Sequence, residues 1–244
     1  MKPDLPDWYR AKREDVAATF ARSVPGEVAT HKSPSGRYQL DVTRFSTGPN
    51  TWAYSRGRVF GSDQEPPLAV VDRNFGSFPF SWSEGHPSGH DYLVCGEDYQ
   101  GQTVIELDTG RRVDHVGAGV KGGWGFCWAA HYPSPCGRWL FVDGCVWAAP
   151  YELVLFDFSA PLALPYRELG RWPIHTVHGW QADGSFLFEY TLEVRRSDDV
   201  PLDELSEEER DAVEQSASYR ELVRDRRFRA CWRADAPCEI VTLD

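Results

Sequence analysis

Two glycines bracket a run of groups able to do chemistry: Gly96-Glu97-Asp98-Tyr99-Gln100-Gly101. Two residues are enough to turn a hairpin, so two carboxylates, a phenol and an amide in one loop exceed what a connection needs. Such groups hydrogen-bond a polar ligand, or pass a proton where one of them reaches a substrate atom. His175-x-x-His178 offers two imidazoles that, beside Glu97 or Asp98, would suit proton transfer or a metal ion. The plainer reading of the loop is a solvated turn, and of the histidines, ordinary connecting residues.

Other spacings carry less. Gly117-Ala118-Gly119-Val120-Lys121-Gly122 is a literal GxGxxG. The dinucleotide fingerprint needs a helix next, whose N-terminus receives the pyrophosphate, and here Gly123-Trp124-Gly125 leads into a strand. Lys121 precedes Gly122, not Ser or Thr, so there is no phosphate-binding P-loop. His86 and His90 stand four apart, but Pro87 and Gly89 between them make a turn, not a helix face that would aim both rings at one ion. The six cysteines (Cys95, Cys127, Cys136, Cys145, Cys231, Cys238) include no CxxC and read as reduced packing residues. No cofactor and no metal site is expected.

Something must hold the loops. Four segments align: Ser33–Leu40, His86–Val94, Ser134–Val142 and Gln181–Glu189. Each is a short polar turn ending in glycine, followed by an alternating apolar strand. The glycines, Gly36, Gly89, Gly137 and Gly184, are 53, 48 and 47 residues apart, the signature of a repeat architecture. A turn that needs positive φ explains the glycine. The rest of each period holds enough alternation for four strands, as in Thr103–Asp108 and Phe186–Val194. The fold class expected is all-β: four repeated four-stranded antiparallel sheets in a small propeller-like meander. The SPSGR and SPCGR turns resemble those of WD40-like and PD40-like β-propeller blades, although the G-H and W-D signatures of true WD40 repeats are missing. The resemblance implies a fold and no particular activity.

The acidic charge is concentrated. Of a formal net charge of −11, residues 197–225 carry eleven acidic and three basic side chains, or −8. Ser206 and Glu209 form a capping-box pair there, so a helical insert is expected near 206–225. Residues 1–28 are read as an N-terminal segment with a helix over 7–23, and 29–244 as the β domain with its acidic insert at 197–226. The acidic balance lacks a basic stripe, which argues against nucleic acid and anionic membrane as partners. No apolar run reaches 18 residues and no secretory leader is seen, so a cytoplasmic protein is expected.

In a meander of such units, the repeated turns fall at one end and the irregular links at the other. Residues gathered at the irregular end would be Arg73, Asn74, Glu97, Asp98, Tyr99, Gln100, Trp124, Trp147, His175 and His178. Cations, carboxylates, imidazoles and aromatic platforms together suit a protein or a polar small molecule as partner. The leading expectation is a noncatalytic binding module or interaction scaffold. The alternative is a hydrolase or lyase acting on a polar small molecule or glycan, with Glu97 or Asp98 as acid or base beside His175 or His178. A purely architectural protein with an aromatic-filled centre is the third.

Overall fold

Alternating apolar residues pair here into sheets of consecutive strands, as period-two patterning demands. The computed structural model describes residues 5–61, 66–96, 101–117, 119, 121, 125–146 and 149–243. A helix, α1 (Asp7–Arg22), comes first. The first sheet follows as β1 (Val24–Lys32), β2 (Tyr38–Ser46), β3 (Tyr54–Gly61) and β4 (Ala69–Arg73). The second is β5 (Phe80–Ser83), β6 (Tyr92–Gly96), β7 (Gly101–Glu106) and β8 (Arg112–Val116). The third is β9 (Phe126–Pro133), β10 (Trp139–Val146), β11 (Glu152–Asp157) and β12 (Glu168–Pro173). The fourth is β13 (Thr176–Trp180), β14 (Phe186–Arg195), β15 (Val223–Arg233) and β16 (Ala236–Thr242). Each sheet is antiparallel with strands in chain order. The all-β class with a helical insert is therefore what the sequence indicated.

The chain divides into two compact units, Met1–Arg171 and Trp172–Asp244. In the first, the second sheet is buried on both faces. Leu93, Cys95 and Ile105 pack against Tyr38, Leu40, Val59 and Val71 of the first sheet. Tyr92, Val94 and Val104 pack against Leu140, Val142, Val154 and Phe156 of the third. Each such side chain fully removed from water contributes about 1.5–3 kcal/mol. Helix α1 is anchored by Tyr9, fully buried beside Val116. A Cβ at Gly101 would run into the hydroxyl of Tyr9, 92 residues upstream, so a side chain there would oblige the loop or the tyrosine to shift.

The four repeated turns share one conformation. Gly36, Gly89, Gly137 and Gly184 have φ of 74°, 86°, 70° and 79°. Each glycine N–H donates to the carbonyl three residues back, at 2.8–3.0 Å. In the first unit the turns also interlock. Glu84 accepts from the Ser33 hydroxyl (2.9 Å) and the Ser35 N–H (2.8 Å) of the first repeat. His86, buried in the second turn, bonds the Phe158 carbonyl of the third at 3.2 Å. These turns are structural parts.

In the second unit, β14 and β15 pair from Phe186↔Trp232 to Arg195↔Val223. The insert between them folds on a small core of Leu202, Leu205, Val213 and Val223. Ser206 and Glu209 make the capping box at the start of α2 (Glu207–Glu214). The insert is helical but shorter than one helix over 206–225. A second short helix, α3 (Tyr219–Leu222), follows, and the strand starts at Val223. Extending the β14–β15 ladder wins these residues for the sheet, where Arg224 and Arg226 reach Asp199. Asp198 and Glu209 both pair with Arg195, so part of the insert's acidity is matched internally.

Candidate functional site

In the first unit a cavity of about 200 Å³ lies between the second and third sheets. Gln102 and His115, cross-strand partners on β7 and β8, form one wall. Phe126 and Trp128 of β9, Phe156 of β11, and Leu164, Pro165 and Tyr166 before β12 form the others, with Glu168 and Arg171 at the rim. The site continues the apolar core. Gln102 stands two residues from Val104 on the same face of β7, so the packed core of Val94, Val104 and Trp128 opens here.

Three of its lining residues adjoin irregular links. Gln102 follows the 96–101 loop by one residue, Gly117 begins the glycine-rich 117–125 segment, and Phe126 ends it. The Gln102 amide donates to the Phe126 carbonyl at 3.3 Å, tying the second sheet to the third across the floor.

Aromatic faces dominate the interior. The Trp128 ring lies 5.6 Å from Phe156 and 6.1 Å from Tyr166, tilted 31° and 32° to them. Arg171 sits 5.1 Å over the ring of Phe126. Its guanidinium donates to both oxygens of Glu168 (2.9 and 2.8 Å) and to Glu152 (2.5 Å), which fixes the rim cation and offsets its charge. Burial pushes the Tyr166 phenol well above its ordinary range, and its hydroxyl donates to the Pro161 carbonyl. Burial pulls the His115 imidazole below its usual value, so the ring is neutral at pH 7. Among the described residues no hydrogen bond engages that ring. About 150 Å³ suffices for a benzene-sized guest, so the space suits one ring with a flat apolar face and a polar edge.

Four of the ten residues singled out from sequence are among the described ones. Glu97, Asp98, Tyr99, Gln100, Trp124 and Trp147 lie outside the described residues. Arg73 is buried at the end of β4, 2% exposed. Its charge, after burial itself, helps depress the imidazole of His131 to a pKa of about 3. The Asn74 carbonyl accepts from the Trp52 indole at 2.5 Å. His175 and His178 belong to the second unit. The His175 N–H donates to the Glu189 carbonyl, and the His178 ring meets the Glu189 carboxylate at 3.1 Å. Arg229, then His178, hold that carboxylate below its ordinary range. A carboxylate–imidazole pair therefore exists there, made with Glu189.

Sequence reading missed Gln102, His115, Phe156, Tyr166 and Arg171. Their separations along the chain show no local spacing, because the cavity is assembled across two sheets. The one sequence signal was a polar residue at an inward position of an otherwise apolar strand, Gln102 ahead of Val104.

Among the described residues no helix is long and apolar enough to cross a membrane. No family model matches the chain. It is similar over 208 residues to uncharacterized protein R762 of Acanthamoeba polyphaga mimivirus, at 29% identity, covering 79% of this chain and 80% of the viral protein.

Proposed function

We propose that the protein is a noncatalytic binding module of the WD40-like, PD40-like repeat kind that holds a small polar ring compound between its second and third sheets. The observation that carries this is the cavity beside Gln102 and His115, lined by four aromatic rings. Loops set on a rigid scaffold are the usual location of binding groups. A sugar ring fits the chemistry: its C–H face stacks on Trp128 and Tyr166, and its hydroxyls meet the Gln102 amide and the His115 ring. The rim cation is already bound by Glu168 and Glu152, so the site favours a neutral guest over an anion. The six cysteines form no disulfide, which suits a reducing compartment such as the cytoplasm.

Saturation-transfer NMR against a panel of monosaccharides and neutral aromatic compounds tests the reading. The expected result is at least one binder whose signal falls in His115→Ala and Gln102→Ala while both variants unfold at the wild-type temperature. Binding that survives both substitutions places the occupant elsewhere and removes the proposal.

The neutral His115 ring also favours a second reading, an enzyme acting on the same guest with this imidazole as general base. His115→Gln would then retain binding and lose turnover. Recovery of every bound compound unchanged from wild-type protein dismisses that reading.

A further inference from the structure

The repeated-turn end carries a group of side chains that packing does not explain. His90, Glu106 and Asp108 each bring one ligand atom to within 4.8 Å of the others. They come from two different turns: His90 follows the Pro87–Gly89 turn, and Glu106 and Asp108 flank Leu107 in the β7–β8 hairpin. We infer that these three residues form a site for one Zn²⁺ ion, which clips the two turns together.

The donor set is one imidazole nitrogen and two carboxylates, all of them ligands zinc accepts. Donor atoms about 2.1 Å from zinc stand roughly 3.4 Å apart in a tetrahedron, so small side-chain rotations close the group on an ion. His90 Nδ1 and an Asp108 oxygen are already 2.6 Å apart, sharing a proton that leaves when the ion enters. Both side chains are 36% exposed, which keeps a fourth position open to water.

Glu106 is the unusual member. Its side chain is 2% exposed, and its cation partner Arg111 stands 3.5 Å away and is itself 68% exposed. A carboxylate this buried ordinarily has a close, well-fixed counter-charge. The hydroxyl of Thr109 donates to Oε1, and Tyr92 approaches Oε2 at 3.4 Å, a long contact that leaves this oxygen with acceptor capacity. These hydroxyls supply the outer hydrogen bonds that orient a metal-bound carboxylate. His86 takes no part, because its ring is bound to Ser88 and the Phe158 carbonyl.

The test is titration of the metal-stripped full chain with Zn²⁺ by calorimetry, alongside thermal unfolding with and without the ion. The expected result is one ion per chain at this site and a higher unfolding temperature in its presence. His90→Gln and Asp108→Asn should each weaken binding at least tenfold while unfolding, metal-free, near the wild-type temperature. Arg111→Ala should tighten binding by removing the competing cation. Zinc affinity equal in wild type and both ligand variants, no zinc binding by the wild type, or weaker binding in Arg111→Ala overturns the inference. Failure here leaves the ring-compound cavity standing, since the two sites share no residue.

Discussion

The Tyr38 hydroxyl donates to the Asp91 carboxylate at 3.0 Å, joining the first repeat to the second across 53 residues of chain. Asp91 also accepts from Arg37 at 2.6 Å and from the Gly85 N–H at 2.9 Å. Burial first, then the bond to Asp91, push the Tyr38 phenol up to about 12. The folded state therefore holds this proton where the unfolded chain, near pH 10, gives it up. The stability from this source is complete below pH 10 and is lost as pH rises towards 12. Tyr38→Phe should cost about 1–2 kcal/mol at pH 7, read by urea denaturation, because it leaves a buried acceptor short of a donor. It should also flatten alkaline destabilisation between pH 10 and 12. An unchanged alkaline profile would contradict the assignment.

The repeated glycines differ in what surrounds them. A Cβ at Gly89 meets nothing within 4 Å, whereas one at Gly137 would come within 2.5 Å of Pro87 Cδ and 2.7 Å of the His86 ring. Gly89→Ala should pay only for its positive φ, about 1 kcal/mol. Gly137→Ala should lose about 2–4 kcal/mol, because it also forces two interlocked turns apart. Chemical denaturation of the two variants side by side checks the ordering, and equal losses would show that the turns are not in contact.

His131 gives an acid-side signature. It is buried, neither ring nitrogen has a hydrogen-bond partner among the described residues, and burial followed by the Arg73 charge lowers its pKa to about 3. The unfolded chain binds this proton near pH 6.5 and the folded protein does not. Stability is full above pH 6.5 and falls towards pH 3, with a slope of about 1.4 kcal/mol per pH unit from this residue. His131→Phe should remove that slope in pH-resolved thermal unfolding. A variant with the wild-type acid profile would place the effect in other groups.

The repeat was legible because it is local. Each turn needs a glycine at positive φ, and each strand alternates, so Gly36, Gly89, Gly137 and Gly184 mark the periods without any tertiary knowledge. The capping box at Ser206 was legible for the same reason. The end of the insert was not, since pairing of Val223–Arg226 with β14 overrides helical preference through long-range ladder bonds. Nor was the setting of Gly101, which read as a loop residue and lies against Tyr9 of α1. The cavity was the least legible part. Trp128 is core, 6% exposed; only juxtaposition with Tyr166 and His115 makes the same ring a wall.

The double burial of the second sheet sets how the first unit comes apart. Every residue of β6 and β7 is buried, and their apolar side chains pack against the first and third sheets. Removing either adjoining sheet would strip it of half its driving force, so melting cannot proceed sheet by sheet from the middle. Amide protons on Leu93, Val94, Val104 and Ile105 should exchange only through complete opening of the unit, and all at a common rate.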